Sequence, residues 1–120
     1  MTLRVLVVDD DVLNLRIAAR LLRELGHSGA LAADGEKALQ LLRRQSFDLM
    51  LLDINMPKLS GEDTLRALRA EGQRLAVLMV SGHDGEETRR HFLDLGANGF
   101  LAKPLAQSAL QAALAQLGGN

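Results

Sequence analysis

The alternation of two hydrophobic periods restricts this chain more than any other feature. Residues 5–8, 49–52 and 75–80 are short, uninterrupted apolar runs, the pattern of strands buried on both faces. Residues 28–32 and 99–101 are shorter and richer in small residues, and they read as strands because helical segments bracket them. Between the runs the period turns helical. Leu13, Ile17, Leu21 and Leu25 are predicted to share one face, as are Ala38, Leu41 and Leu42, and later Leu110, Ala113, Leu114 and Leu117. Leu65 with Leu68, and Phe92 with Leu95, mark two more helices. Asp11 or Val12 opens the first helix, Asp34 caps the second, and Ser60-x-x-Asp63 and Asp84-x-x-Glu87 have the spacing of capping boxes. Gly26, Gly72 and Gly96 stand where C-terminal glycines belong. The order is strand then helix, five times over, with connections too short for anything but a parallel sheet covered by helices on both faces. No linker, low-complexity tract or internal repeat interrupts it, so residues 1–120 read as one domain.

Composition removes several classes of function. Fourteen Lys+Arg against 15 Asp+Glu leave no net basic field of the kind that nonspecific DNA or anionic-membrane binding needs. Three Phe, with no Trp or Tyr, offer almost no stacking platform for RNA. The absence of cysteine excludes a disulfide framework, a Cys-ligated zinc site and thiol catalysis, and fits a reducing compartment. Met1-Thr2-Leu3-Arg4 leads straight into a strand rather than a signal segment, and no apolar run nears the roughly 18 residues that span a bilayer. The expectation is a soluble, cytoplasmic module with no membrane insertion and no direct nucleic-acid partner. Because Gly118-Gly119-Asn120 follows the fifth helix directly, it is expected to be a stand-alone module or a piece cut from something longer.

In a parallel sheet every strand's carboxyl end emerges at one edge, so polar residues ending separate strands converge there. The first strand ends in Asp9-Asp10, the third in Asp53, the fourth in Ser81, and Lys103 follows the fifth. The second, ending Ala32-Ala33, brings no chemistry, as expected of an outer strand. Carboxylates about 4 Å apart repel by on the order of 4 kcal/mol per pair at an effective dielectric near 20, so positive charge must sit among them. Lys103 supplies one unit, and a hard divalent cation such as Mg²⁺, which keeps several waters, supplies two more. Carboxylates, metal, a small hydroxyl and an ammonium are the equipment for handling a phosphoryl group. Asp11, leading the first helix, reads as a cap. His27, His83 and His91 lack metal spacing and read as surface or loop residues, and Arg43-Arg44 and Arg89-Arg90 as solvated helix faces.

Four motifs then stand in order: Val7-Val8-Asp9-Asp10; Leu52-Asp53-Ile54-Asn55-Met56-Pro57 with Gly61; Val80-Ser81-Gly82; and residues 96–104, Gly-Ala-Asn-Gly-Phe-Leu-Ala-Lys-Pro. Through them the chain resembles a receiver domain of a two-component response regulator over essentially its whole length. The resemblance implies a flavodoxin-like (βα)5 fold with strand order 2-1-3-4-5. It implies that Asp53 accepts a phosphoryl group from a sensor histidine kinase or a histidine phosphotransfer protein, the domain catalysing its own modification and, in part, its own dephosphorylation. Asp10 would hold Mg²⁺ (or Mn²⁺) directly and Asp9 through water, with Asp53 and the Asn55 backbone carbonyl completing the protein ligands. Lys103 and Ser81 would contact the phosphoryl oxygens. Ser81's movement would go with inward rotation of Phe100, remodelling the face made by the fourth helix, fifth strand and fifth helix for a downstream effector or a phosphorylation-dependent dimer. The Lys103-Pro104 bond is expected to be cis. Asn55 and His83 occupy positions that tune the acyl-phosphate lifetime, Lys58-Leu59-Ser60 and Val12 depart from the common pattern, and Asn14 with Gly26-His27 resembles receivers fused to hybrid histidine kinases.

Other readings stay open on sequence. Asp9-Asp10-Asp11-Val12 resembles the Asp-x-Asp signature of haloacid-dehalogenase-type phosphatases, which would move the nucleophile to Asp9; against it, that fold needs a longer chain and a later acidic motif. A nucleotide or flavin module would want a Gly-rich cradle where these carboxylates stand. A docking-only domain would have no use for the complete acidic set.

Overall fold

A computed structural model describes residues 2–82 and 85–118. Along the chain run β1 (Arg4–Val8), α1 (Val12–Glu24), β2 (Ser28–Ala32), α2 (Gly35–Arg44), β3 (Leu49–Asp53), α3 (Gly61–Ala70), β4 (Ala76–Ser81), α4 (Glu86–Asp94), β5 (Gly99–Ala102) and α5 (Gln107–Gly118). All strand pairs are parallel and the order is β2-β1-β3-β4-β5, the flavodoxin-like arrangement, with β2 at an outer edge.

Side-chain alternation divides the core into two layers. Leu6, Val8, Met50, Leu52, Val77 and Met79 face Ala38, Leu39 and Leu42 of α2, Leu65 and Leu68 of α3 and Phe92 of α4. Val5, Val7, Leu49, Leu51, Leu78 and Val80 face Leu15, Ala18 and Leu22 of α1 and Leu110 and Leu114 of α5. The continuous apolar runs exist because β1, β3 and β4 are covered on both sides. No helix among the described residues is long and apolar enough to cross a membrane.

The ends of the elements follow local chemistry. Asp11 caps α1 by accepting from the Leu13 N–H, Asp34 caps α2 through the Lys37 N–H, and Ser60 caps α3 through the Asp63 N–H. Gly26, Gly72 and Gly96 all have positive φ. The residue after each donates its N–H five residues back, His27 to Leu22, Gln73 to Leu68 and Ala97 to Phe92, closing three Schellman turns.

Three expectations change. The fully buried positions of α1 are Leu15, Ala18 and Leu22; of the expected face, Leu21 and Leu25 are half-buried and pack against the margin of that core, whereas Leu13 is 63% exposed. Helix α4 starts at Glu86 with Gly85 at its cap position and no side-chain cap bond; Asp84 of the expected capping box, like His83, lies outside the described residues. Arg43 and Arg89 are more than solvated charges. Arg43 makes a bidentate pair with Glu71 (Nε–Oε1 3.0 Å, Nη2–Oε2 2.6 Å) that ties α2 to the end of α3, and Arg89 lies over the Phe100 ring.

Candidate functional site

Register brings the strand ends to one edge. The Asp9 N–H donates to the Ala32 carbonyl, the Ile54 N–H to Val80 and the Lys103 N–H to Ser81, so the ladder continues past the strands and aligns the residues that follow. Gly61 fixes the return of the β3–α3 loop: a β-carbon there would overlap the Asp53 carbonyl and Ile54, and the Gly61 N–H donates to the Ile54 carbonyl at 3.0 Å. Only glycine lets α3 begin this close to Asp53.

Asp9, Asp10 and Asp53 each present a carboxylate oxygen within 4.8 Å of the others. Asp9 and Asp53 are buried, at 5% and 2% exposure, while Asp10 is exposed. Lys103 Nζ lies 3.2 Å from Asp9 Oδ2 and 3.0 Å from Asp53 Oδ1. Asp9 Oδ1 accepts from the Asp11 N–H at 2.9 Å, and Asp53 Oδ1 also accepts from the Asn55 N–H at 3.3 Å. The Lys103-Pro104 bond is cis. Ser81 is buried at the next strand end, 2% exposed. The geometry thus gathers Asp9, Asp10, Asp53, Lys103 and the Asn55 backbone, with Ser81 alongside.

Electrostatics at this edge are unbalanced. Burial pushes the Asp53 carboxyl above its usual range, Asp9 adds to the rise, and Lys103 and the Asn55 N–H oppose it without cancelling it. Burial alone would lower Lys103, but its contacts with Asp53 and Asp9 outweigh that and hold the ammonium above its ordinary value. Among the described residues one cation serves two buried carboxylates with a third beside them, so the cluster is short of positive charge.

Phe100 stands apart from the carboxylates. It pairs with Met79 in the β4–β5 register while Ser81 pairs with Ala102, so Phe100 and Ser81 are diagonal neighbours on one face of the sheet. The half-buried ring meets Phe92 edge-on at 6.1 Å, and the Arg89 guanidinium carbon lies 5.0 Å from its centroid. Sequence reasoning missed this contact, because nothing in the local spacing of an exposed helix arginine announces an aromatic ring from the next strand.

The family model for the response regulator receiver domain matches residues 5–115. The chain belongs to the receiver domain family. Among curated receiver-containing relatives, the transcriptional regulatory protein ZraR of Escherichia coli is 40% identical over 110 residues, covering 92% of this chain and 25% of that protein. The response regulator MprA of Mycolicibacterium vanbaalenii is 38% identical over 117 residues, covering 98% and 51%. The chain therefore spans between a quarter and about half the length of these relatives. Among solved structures, the Vibrio cholerae chemotaxis protein CheY4 superposes with a TM-score of 0.89 at 29% identity, covering 95% of this chain and 97% of that one. Membership in this family makes the chain a phosphoacceptor switch of a two-component system.

Proposed function

We propose that this domain works in the cytoplasm, that its Asp53 takes a phosphoryl group from a phosphohistidine on a sensor histidine kinase or histidine phosphotransfer protein, and that the change is passed to an effector through the α4-β5-α5 face. The observation that carries this reading is the single ammonium of Lys103 shared between Asp9 and Asp53 beside a third carboxylate. Both of Asp53's bonds fall on Oδ1, and Oδ2 is the oxygen we assign as nucleophile. It forms the new P–O bond as the P–N bond to the donor imidazole breaks, and the imidazole leaves with a proton from solvent.

A charge-deficient cluster of hard oxygen donors within 4.8 Å fits a divalent cation such as Mg²⁺, with Mn²⁺ as a substitute. Asp10, Asp53 and the Asn55 carbonyl are the ligands we assign. Asp9 fits a water-mediated role, since its two oxygens are already taken by the Asp11 N–H and Lys103. The same engagement argues against Asp9 as the nucleophile. Bound there, the ion would neutralise incoming phosphoryl oxygens.

Lys103 and Ser81 then gain charge-assisted bonds to phosphoryl oxygens that the unmodified protein lacks, and only such a difference between states can shift an equilibrium. Inward turning of Phe100 is the readout we assign on the output face. A groove of about 430 Å³ between α4, β5 and α5, bordered by the exposed Leu93 and Leu117, suits an effector or a second phosphorylated copy. Autodephosphorylation by water resets the switch.

Intact mass after incubation with a small acyl-phosphate donor tests this. The expected result is one labile, Mg²⁺-dependent adduct that is absent from Asp53→Asn. An adduct that persists in Asp53→Asn would overturn the assignment.

A further inference from the structure

The contact between Arg89 and Phe100 has no part in phosphoryl chemistry, yet it joins the two elements that the switch is expected to rearrange. Arg89 is exposed on α4 and its guanidinium carbon sits 5.0 Å from the centroid of the Phe100 ring on β5. That is inside the roughly 6 Å within which an aromatic quadrupole attracts a cation. The same ring is held edge-on by Phe92 of α4, whose own side chain is buried in the core. Phe92 packs α4 onto the core, and Arg89 lies over the face of the ring.

We propose that Arg89 is a latch that holds Phe100 in the half-buried position it takes against Phe92, and so biases the unmodified domain toward its resting state. This rests on the reading of Phe100 as the switch residue. Because Phe100 and Ser81 are diagonal neighbours on one sheet face, a ring that turns toward Ser81 moves along the strand and under α4, away from a guanidinium anchored on the exposed side of that helix. The cation–π contact belongs to one state only, and a contact made in one state shifts the balance by its full worth. At a solvent-exposed site such a contact corresponds to about a two- to fivefold change in the ratio of inward-turned to resting ring. Arg90 is the neighbouring exposed arginine on α4, and among the described residues the cation stacked on the Phe100 ring is Arg89, so Arg90 serves as the control.

The chain has three phenylalanines, so fluorophenylalanine labelling gives three ¹⁹F signals, each assignable by substitution. Phe47 lies against Arg4 just before β3, outside α4 and β5, and reports on intact folding. The line joining the Phe100 signals of unmodified and phosphorylated wild-type protein defines the switch, with phosphorylation confirmed by mass on the same samples. Unmodified Arg89→Ala and Arg89→Gln should move along that line toward the phosphorylated position, Arg89→Lys should fall between them and wild type, and Arg90→Ala should stay with wild type. If phosphorylation moves the Phe100 signal but the Arg89 variants coincide with wild type while Phe47 is unchanged, the latch is wrong and the switch reading survives. If a protein phosphorylated on Asp53 shows no movement of the Phe100 signal, the switch reading fails and takes the latch with it.

Discussion

Asp53 is held under opposing demands. Its burial raises the cost of carrying charge, while Lys103 and the Asn55 N–H keep the carboxylate available. A carboxyl whose folded value lies above the ordinary one makes the folded state lose stability as pH rises from that ordinary value through the raised one. At neutral pH without divalent metal, Asp53→Asn should therefore melt higher than the native chain, and thermal melts by circular dichroism read this directly. The opposite sign applies to Lys103. Its raised value means that its pairing stabilises the fold below the ordinary lysine value and is lost as pH climbs through the raised one. Lys103→Ala leaves two buried carboxylates without their cation and should cost on the order of 2 kcal/mol, less than a fully buried pair because Lys103 keeps some exposure. Denaturant titration checks this, and millimolar Mg²⁺ should restore part of the loss. The carboxylates, Ser81 and Lys103 were all legible from strand ends alone, because parallel strands deliver their termini to one edge whatever the distance in sequence. The partner of Arg89 was not, since a cation over an aromatic ring leaves no spacing rule to read.

At the scale of elements, the strands, their order of burial and the glycine turns could be read directly, and the face of α1 could not. Leu13, Ile17, Leu21 and Leu25 form as regular a stripe as Leu15, Ala18 and Leu22, and only packing on the sheet buries the second fully, while Leu21 and Leu25 of the first reach the core at its margin and Leu13 stays exposed. Leu is abundant enough here, at 26 residues, that hydrophobic period alone is degenerate. Arg69 shows another feature visible only in three dimensions. From α3 it donates to the carbonyls of Gln73, Leu75 and Gly96 and to the Asn98 side chain, binding the entry to β4 and the α4–β5 turn to a single guanidinium. Arg69→Ala strips three carbonyls of a charged donor and should destabilise the domain by about 1–3 kcal/mol. Hydrogen exchange should speed up first at Ala97, whose N–H closes that turn on Phe92, and at Asn98, whose N–H joins it to the Val77 carbonyl of β4; uniform loosening across the sheet would argue that Arg69 acts globally instead.

As a whole molecule the domain is a stiff two-layered core carrying a charge-deficient edge, and a ligand that corrects the deficiency should stabilise everything attached to it. Binding to the native state alone contributes about 2.7 kcal/mol at a hundredfold excess over Kd. Mg²⁺ should thus raise the melting temperature of the native chain, and Asp10→Ala should abolish most of that rise while leaving the metal-free melt nearly unchanged, because Asp10 is exposed and outside the core. An Asp10→Ala protein with undiminished metal stabilisation would contradict the ligand assignment. Which carboxylate is modified can be read by trapping it. Borohydride reduces an aspartyl phosphate at its acyl carbon to an alcohol and releases phosphate, leaving a permanent mark for peptide mass mapping. The mark should fall at Asp53, only in samples exposed to phosphodonor and Mg²⁺; a mark at Asp9 or Asp10 would mean that another carboxylate is the acceptor.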